Sequence, residues 1–356
     1  MMQTLSPRIP VDELFTFVEQ TLRSIGVGET DAHTTADALV TTDTWGIFTH
    51  GTKLLAGYVR RLRGTGWRVD ATPRIEREGP AWAVVEGEHA LGQVGSCFAM
   101  RLALAKAKTV GIAYVGLKNT AHIGAAGYYA NLAAKDGFIG MVMGNDIPSV
   151  AVPGSRGAVM GSNPLAYGIP VGDRDPILLD MATAAVAGGK VYAAHQRGEP
   201  IPPTWLIGPD GKPTTDGNLY PHSASLAPMA GHKGYGLALF AETLSALLPG
   251  GAMTWQVGSW IFDEMSKPSR HNAAFLAFDV NTIRPRAEFT AQLEKLIDEI
   301  HAAPKADGHD RIYVPGEMEW ERRRLAMSEG IPLPSDTLGK LRELREFGVT
   351  LPTWLA

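Results

Sequence analysis

The sequence of 356 residues contains a single cysteine, Cys97, and no strong excess of charge of either sign. One cysteine excludes an internal disulfide framework and any zinc site built from cysteines. The net charge of −4 gives no electrostatic reason to expect nucleic acid or an acidic membrane surface as a partner. No run reaches ~18 consecutive apolar residues, and the N-terminal segment lacks the apolar stretch of a signal peptide. We therefore expect a cytoplasmic protein that binds neither nucleic acid nor membranes.

Several common nucleotide-binding and catalytic motifs are also missing. No G-x-G-x-x-G follows a candidate strand, so the usual dinucleotide-binding turn of a Rossmann domain is absent. The segment "AGGKV" at 187–191 lacks the first glycine and the hydroxyl residue of a P-loop, and no G-x-S-x-G of a hydrolase occurs. The ten histidines include no H-x-x-x-H pair, and we expect no metal site.

The apolar pattern of the chain changes twice. Apolar residues recur at helical spacing up to about residue 65, and helical patterns return from about Thr290. Between them, short apolar runs bounded by glycine alternate with helical segments at 96–108 and 124–135, which is typical of an α/β fold. Asp210-Gly211 lies between two short runs and predicts a hairpin. We predict a helical domain made from both termini (1–75 and 286–356) around an α/β region that binds cofactor and substrate (76–285).

Two histidines are each followed closely by a glycine. His50 precedes the apolar stripe of a predicted helix, with Thr49 as its N-cap and Gly51 allowing another group to approach the backbone. Imidazole titrates near neutral pH and can transfer a proton, although a plain polar residue at a helix start is the simpler interpretation. His122 follows a strand-like run and precedes a helix, whose partial positive charge disfavours imidazolium. A neutral hydrogen-bond donor and a capping or core histidine are equal alternatives for His122.

Other polar residues stand at the ends of apolar runs or at helix starts. Asp180 ends a run and is explained as well by an N-cap, and Lys190 by a surface position. The segment "GHKGYGLALF" opens with a glycine-rich turn whose backbone N–H groups, with Lys233, suit a phosphate. Gly316 and Glu317 open another helix in the same way.

Eight short motifs, taken in order, resemble those of the malate/L-lactate dehydrogenase family, which also includes sulfolactate, ureidoglycolate and diketogulonate dehydrogenases. They are "THG", "HIGAAGY", "GSNP", "DMAT", "IPPTW", "PTTD", "KGYGL" and "PGE", and with the later "EGIPL" the resemblance covers nearly the whole chain. The resemblance implies a sulfolactate-dehydrogenase-like fold with a mixed-sheet NAD(P)-binding core unrelated to the Rossmann domain. It also implies a homodimer and hydride transfer between a nicotinamide and C2 of a 2-keto or 2-hydroxy acid.

The resemblance also assigns roles to residues. His50 matches the proton donor of the family's S-H-G motif, with Thr49 as its hydrogen-bonding partner, and His122 matches a histidine with the acid/base role in some members. Lys190 matches a lysine of the hydroxy-acid members, whose charge suits a developing alkoxide or a substrate carboxylate. The implied cofactor-binding residues are Asp146, Ser162, Asn163, Asp180, Met181, Ala182, Lys233, Gly234, Gly316 and Glu317.

Two positions depart from the family pattern. Trp45 and Leu54 stand where members often have arginine, and Lys53 lies beside the second. Arginine grips carboxylate and phosphate at two points, so its loss argues against dicarboxylates such as malate and favours NAD over NADP. The bulky replacements favour an apolar or unusual keto acid. Two alternatives stay open: a cyclic imino-acid reductase, which would have aspartate in place of Lys190, and a binding protein that kept the fold without activity.

Overall fold

A seven-stranded sheet lies at the centre of the computed structural model, which describes residues 8–356. The strands of the described residues are β1 (Arg8–Ile9), β2 (Arg74–Gly79), β3 (Trp82–Glu86), β4 (Ile112–Thr120), β5 (Phe138–Gly144), β6 (Val150–Ala151), β7 (Ala158–Met160), β8 (Leu165–Val171), β9 (Arg174–Met181), β10 (Leu206–Ile207), β11 (Pro213–Thr214), β12 (Ser225–Leu226), β13 (His271–Asp279) and β14 (Ile331–Pro332).

Helices pack on this sheet, and helices also form most of both ends of the chain. The α-helices of the described residues are α1 (Val11–Ser24), α2 (Glu29–Thr44), α3 (Leu55–Arg63), α4 (Gly92–Val110), α5 (Ala126–Lys135), α6 (Gly188–Gln196), α7 (His232–Glu242), α8 (Val280–Ile283), α9 (Arg286–Ala302), α10 (Glu317–Glu329) and α11 (Ser335–Arg342). In residues 8–356 we find no helix that is both long and apolar enough to cross a membrane.

The central sheet is mixed, with strand order β2-β3-β4-β13-β5-β8-β9. Only β3 and β4 pair in parallel, and β13 enters from late in the chain between β4 and β5. Helices α4 and α5 bury their small and aromatic residues against the sheet, with Met100, Tyr129 and Phe275 fully buried in the shared core. The predicted α/β fold with a mixed sheet is confirmed, because an alternation of short apolar runs and helical segments does produce this layering.

A second sheet of five short strands has the order β11-β10-β12-β6-β7. The antiparallel pair β10 and β11 encloses Asp210-Gly211, as the hairpin pattern predicts. Helix α6 packs on this sheet through Val191, which shares a small core with Leu206 and Leu226. The five-stranded sheet and α6 therefore pack as one unit next to the end of β9.

The helices near the two ends of the chain share one hydrophobic core. Leu14 of α1, Leu39 of α2 and Leu55 of α3 pack with Leu338 and Leu341 of α11. Strands β1 and β14 pair antiparallel and tie the first described residues to the segment before α11. The boundaries of the helical and α/β regions stay a prediction.

Candidate active site

His50 lies in a turn that the side chain of Asp43 holds in place. Oδ2 of Asp43, near the end of α2, accepts the backbone N–H of Thr52 at 3.0 Å and its hydroxyl at 2.6 Å. A Cβ on Gly51 would lie 1.8 Å from Asp43 Oδ1, so only glycine allows this approach. The prediction that Thr49 is an N-cap is wrong: a 3₁₀ turn capped by Gly51 precedes α3, which begins at Leu55. Thr49 instead places its hydroxyl 3.0 Å from His50 Nδ1.

His122 lies between β4 and α5 and is held by a chain of hydrogen bonds. Its Nδ1 is 2.9 Å from the hydroxyl of Tyr58, which accepts from Gln93 Nε2 at 3.2 Å. Gln93 Nε2 also donates to the carbonyl of Ile123 at 3.4 Å, and that contact requires the amide nitrogen on this side because a carbonyl only accepts. The Tyr58 hydroxyl also lies 3.4 Å from the carbonyl oxygen of His122, so it has two acceptors within reach. Donation to Nδ1, the shorter of the two contacts, leaves the single ring proton of a neutral His122 on Nε2.

The two predicted histidines meet, and a third joins them. The rings of His50 and His122 stack with centroids 5.8 Å apart, and Trp260 stacks on His122 at 5.1 Å. His271 begins β13, meets His122 edge to face at 5.7 Å, and places Nε2 3.2 Å from Oδ1 of Asp146. Sequence reasoning missed His271 because it belongs to none of the motifs, and only the sheet brings it beside Asp146.

Burial and charge set different protonation states within this cluster. Burial lowers the pKa of His122 to about 3, with the neighbouring His271 and His50 acting in the same direction against Asp146. Burial also lowers the pKa of His50, and Asp146 opposes that change. Burial by itself raises the pKa of Asp146, but the hydrogen bond and charge of His271 outweigh it and leave the pKa below its ordinary value. His122 is therefore neutral at physiological pH, and Asp146 is a carboxylate.

Asp146 lies in the loop that follows β5. The segment before β8 and the end of β9 lie next to it. Ser162 donates its hydroxyl to Asp146 Oδ2 at 3.4 Å, and Asn163 Oδ1 accepts the backbone N–H of Asp146 at 3.2 Å. Thr183, just past β9, donates its backbone N–H to the carbonyl of Ser162 at 2.9 Å. Asp146 and Ser162 keep accessible surface, whereas Asn163 is fully buried. The buried side chain of Asn163 therefore supports the conformation of the loop that carries Asp146.

Asp180 acts on the helix behind His122. It lies within β9, so the alternative that it caps the helix that follows is wrong, because α6 begins only at Gly188. Its Oδ2 accepts the backbone N–H of Gly127 in the first turn of α5 at 2.7 Å. Burial raises the pKa of Asp180 to about 6, despite this hydrogen bond. Met181 and Ala182 follow it, half-buried, at the edge of the cluster.

Two predicted lysines are exposed at helix starts. The first turn of α6 approaches the His50 turn, since a Cβ on Gly189 would lie 3.9 Å from Thr49 Cγ2. Lys190 is the next residue, and Lys233 lies in the first turn of α7, after Gly231 with φ +64°. Both side chains are exposed, and within residues 8–356 neither forms an ion pair. Gly234 is buried against the carbonyl of Met229, where a Cβ would lie at 2.2 Å.

The structure does not bring Gly316 and Glu317 into the histidine cluster. Gly316, with φ +98°, precedes α10 and packs against Leu178 of β9. Glu317 accepts hydrogen bonds from the backbone N–H of Val314 at 3.0 Å and contacts His301 at 3.1 Å. These residues cover the outer edge of the central sheet, two positions along β9 from Asp180.

Trp45 and Leu54 do not shape the site. Trp45 is fully buried and packs edge to face on Trp320 with centroids 5.6 Å apart, in the core of the central sheet. Leu54 is buried in the helical core, and Lys53 pairs with Asp336 of α11 at 2.6 Å. Both side chains lie in hydrophobic cores, so the structure gives no support to the expectation that their bulk selects the keto acid. Lys53 does not replace the missing arginine either, because its ammonium is held by α11.

Comparisons with known proteins agree with this architecture. The family profile "Malate/L-lactate dehydrogenase" matches residues 9–342. The chain is 36% identical to a malate dehydrogenase of Pyrococcus horikoshii over 95% of this chain and 94% of that protein, and 35% identical to an L-sulfolactate dehydrogenase of Methanocaldococcus jannaschii over 94% and 95%. A ureidoglycolate dehydrogenase (NAD(+)) of Escherichia coli is 34% identical over 92% and 93%. The solved structure of the Pyrococcus horikoshii enzyme superposes with a TM-score of 0.88 at 35% identity, covering 98% of both chains.

Proposed function

The chain belongs to the malate/L-lactate dehydrogenase family, and on this premise we propose that His50 is the acid/base of its reaction. A member of this family interconverts 2-hydroxy acids and 2-keto acids with a nicotinamide cofactor. When bound, that cofactor supplies or accepts the hydride at C2 of the substrate. The protein must then move one proton at the substrate oxygen, and this task falls to an imidazole.

The chain Gln93–Tyr58–His122 is the observation that carries this assignment. We propose that the Tyr58 hydroxyl donates to Nδ1 of His122, its shorter contact, so that the neutral ring carries its own proton on Nε2. Such a ring donates a hydrogen bond to a substrate oxygen but has no second proton to give. Nδ1 of His50 meets only the Thr49 hydroxyl, a group that can donate or accept, and the charge of Asp146 opposes the lowering of the pKa of His50 by burial. In keto-acid reduction His50 gives a proton to the oxygen, and in the reverse reaction it takes that proton back.

Lys190 is proposed to bind the carboxylate of the substrate. Its helix starts beside Thr49 and Tyr220, so the ammonium is carried on an element that approaches the turn holding His50. Burial, followed by Tyr192 and the charge of Asp146, raises the pKa of Tyr220 to about 12, which supports a position of this tyrosine on the same side of the cluster. Because Lys53 is paired with Asp336, Lys190 is the proposed cation for a single carboxylate. We therefore propose a 2-keto acid with one carboxylate as the preferred substrate.

The residues around α7 and Asp146 fit a nicotinamide dinucleotide. Lys233 is exposed, and among residues 8–356 no heavy atom lies within 4 Å of a Cβ built on Gly231 or Gly236, so the turn has room for a phosphate close to backbone N–H groups. We propose that Asp146, Ser162, Asp180, Met181, Ala182, Lys233 and Gly234 hold the cofactor, with Asn163, Gly316 and Glu317 supporting its surroundings. NAD is favoured over NADP, as in the relative whose name specifies NAD(+).

We also propose that the chain works as a homodimer. Trp255, Ile261 and Phe262 lie close in sequence and are 72%, 62% and 69% exposed. An exposed apolar cluster of this kind is typical of a surface that another protein covers. The same loop carries Trp260, which stacks on His122, so a second copy covering the loop also steadies the site. Sedimentation at twice the mass of 38.2 kDa supports this proposal, and a monomer at micromolar concentration contradicts it. A cytoplasmic location stays a prediction from sequence.

A substrate panel tests the proposed reaction. The purified protein is assayed with NADH and with NADPH against pyruvate, branched and aromatic 2-keto acids, oxaloacetate, sulfopyruvate and a cyclic imino acid. We expect oxidation of NADH with a keto acid that has one carboxylate, at a higher kcat/KM than with oxaloacetate. Best turnover of oxaloacetate contradicts the proposed substrate class. Turnover of the cyclic imine alone, or NADH binding without turnover of any compound, contradicts the proposed reaction.

A further inference from the structure

Glu242 is a buried carboxylate that has no cation beside it among residues 8–356. It is the last residue of α7 and is 3% exposed. Its Oε1 accepts Nδ2 of Asn145 at 3.3 Å and the backbone N–H of Thr254 at 2.9 Å, and its Oε2 accepts Nδ2 of Asn163 at 2.8 Å. Burying a carboxylate against neutral donors alone is costly, so its retention calls for a reason beyond packing.

The two asparagines connect Glu242 to the centre of the site. Asn163, having given its amide to Glu242, turns Oδ1 to the backbone N–H of Asp146 at 3.2 Å. Asn145 turns Oδ1 to the backbone N–H of Asn272 at 2.9 Å. Asn145 is the residue before Asp146, and Asn272 is the residue after His271. The carboxylate is thus joined, through one amide each, to the two segments that carry the Asp146–His271 contact.

Glu242 and two backbone carbonyls together fix which way these amides face. All of these oxygens accept, so each asparagine presents its NH₂ group to Glu242 and to a carbonyl, that of Ala252 at 2.9 Å for Asn145 and that of Ala238 at 3.1 Å for Asn163, and turns its oxygen to the site. The helix changes character at this point, because a π-helical turn, Thr243–Leu247, follows directly. Such turns inside helices often accompany functional sites. The π turn also lets the next segment leave the helical register immediately after Glu242.

We propose that Glu242 is a positioning residue that holds Asp146 and His271 in register with His50 and His122. It touches none of the reacting groups and acts through Asn145 and Asn163. The proposal rests on the function proposed above, since it concerns the geometry of that acid/base centre. A shift of about 1 Å in such a centre lowers turnover by about a hundredfold.

The substitution Glu242→Gln tests this role with almost no change of shape. Two donors face Oε1, so the glutamine oxygen takes that side and its NH₂ meets Nδ2 of Asn163, donor against donor. A rotated Asn163 amide would lose its hydrogen bond to the carbonyl of Ala238, so the side chain withdraws from the glutamine NH₂ instead, and its hydrogen bond from the backbone N–H of Asp146 is weakened or lost. We expect kcat to fall about tenfold to hundredfold, with the limb of the pH profile that His50 controls moving to lower pH. The Kd for NADH should rise by a smaller factor than kcat falls, because Asp146 is only one of the proposed cofactor contacts and the Lys233 turn lies ~14 Å away at the other end of α7.

Asp279→Asn is the matched control. Asp279 is also a buried carboxylate bonded to neutral donors, the N–H of Asn281 and the hydroxyl of Thr282, but it lies at the opposite end of β13 from His271. We expect it to lower the melting temperature by a similar amount and to leave kcat within about twofold. A Glu242→Gln protein with kcat within twofold of wild type, or with a loss no larger than that of Asp279→Asn, overturns the proposal.

Two further measurements keep the outcome decisive. If Glu242→Gln does not fold, Asn163→Gly replaces it, since glycine tolerates the positive φ of 28° at this position and removes the same link to Asp146. If the wild type turns over no 2-keto acid, the proposed function fails and the role of Glu242 is read from ¹⁵N spectra of the histidine rings. The ring signals of His271 must then differ between wild type and Glu242→Gln. Identical spectra overturn the proposal.

Discussion

The two sides of the site are built in opposite ways. On one side Tyr58, Gln93 and His271 are buried and hydrogen-bonded to their neighbours. On the other side Lys190 and Lys233 are exposed at the first turns of α6 and α7 and form no ion pair within residues 8–356. Side chains that are already hydrogen-bonded need little reorganisation when charge develops in a transition state. An exposed ammonium, in contrast, can move to bind an anionic group of a ligand. We infer that proton transfer is preorganised by the fold and that ligand binding orders the open side.

The largest effect should come from removing the proposed proton donor, His50, whose half-buried ring stacks on His122. His50→Ala is expected to lower kcat by about 10²–10⁴, because the substrate oxygen then exchanges its proton with water alone. The stopped-flow rate of keto-acid reduction measures this change. NADH binding, followed by fluorescence, should remain within about threefold of wild type, since His50 carries no proposed cofactor contact.

His122→Ala is the control that separates the two histidines. It removes one neutral hydrogen-bond donor and the stacking partner of Trp260, so we expect a smaller loss than for His50→Ala. Near-normal turnover of His50→Ala together with an inactive His122→Ala protein reverses the assignment of roles. In that case the chain Gln93–Tyr58–His122 delivers protons rather than locking the ring.

An intermediate effect should follow from a change on the open side. Lys190→Ala removes a charge-assisted hydrogen bond of about 1.5–3 kcal/mol, so the KM for the keto acid should rise about tenfold to hundredfold. The value of kcat should change less than KM, since the buried groups keep their contacts. Lys305→Ala, at another exposed lysine, is the matched control and should leave both constants unchanged. A fall in kcat with an unchanged KM places Lys190 in the chemistry and removes the contrast between the two sides.

Local patterns predicted the elements of the fold well, because each depends on neighbours in sequence. The apolar runs of β4, β5 and β13, the helices α4 and α5, and the hairpin around Asp210-Gly211 all follow from periodicity and turn chemistry. The N-cap expected at Thr49 failed because the contact that organises the turn comes from Asp43 on another helix. Tertiary contacts of this kind override local preference.

The site was predicted in part for the same reason. His50 and His122 stand in motifs whose order along the chain is specific, and the structure stacks their rings. His271 is 125 residues from Asp146 in sequence, and only the pairing of β13 with β5 makes them neighbours. Trp45 points into the sheet core because Trp320 of α10 packs on it. No spacing in the sequence encodes either contact.

The smallest effect separates electrostatics from contact on the buried side. Asp146 is a carboxylate whose charge raises the pKa of His50 against the lowering caused by burial. Asp146→Asn keeps the shape and an acceptor for His271 but removes the charge, so the pKa of His50 should fall. Reduction of a keto acid uses protonated His50, whose population is lost as pH rises through that pKa. The falling limb of kcat against pH should therefore move to lower pH, by up to about one unit.

The reverse reaction checks the sign of this shift. Oxidation of a hydroxy acid uses neutral His50, so its rising limb should move to lower pH by the same amount in Asp146→Asn. Asp298→Asn, at an exposed position on α9, removes a carboxylate far from the cluster and should move neither limb. A limb that stays in place in both directions means that the charge of Asp146 does not reach His50. If the rate instead falls at every pH and neither limb moves, Asp146 contacts the cofactor and does not set the pKa of His50. The buried side then differs from the open side in how firmly its groups are held, and not in the electrostatic control of a proton.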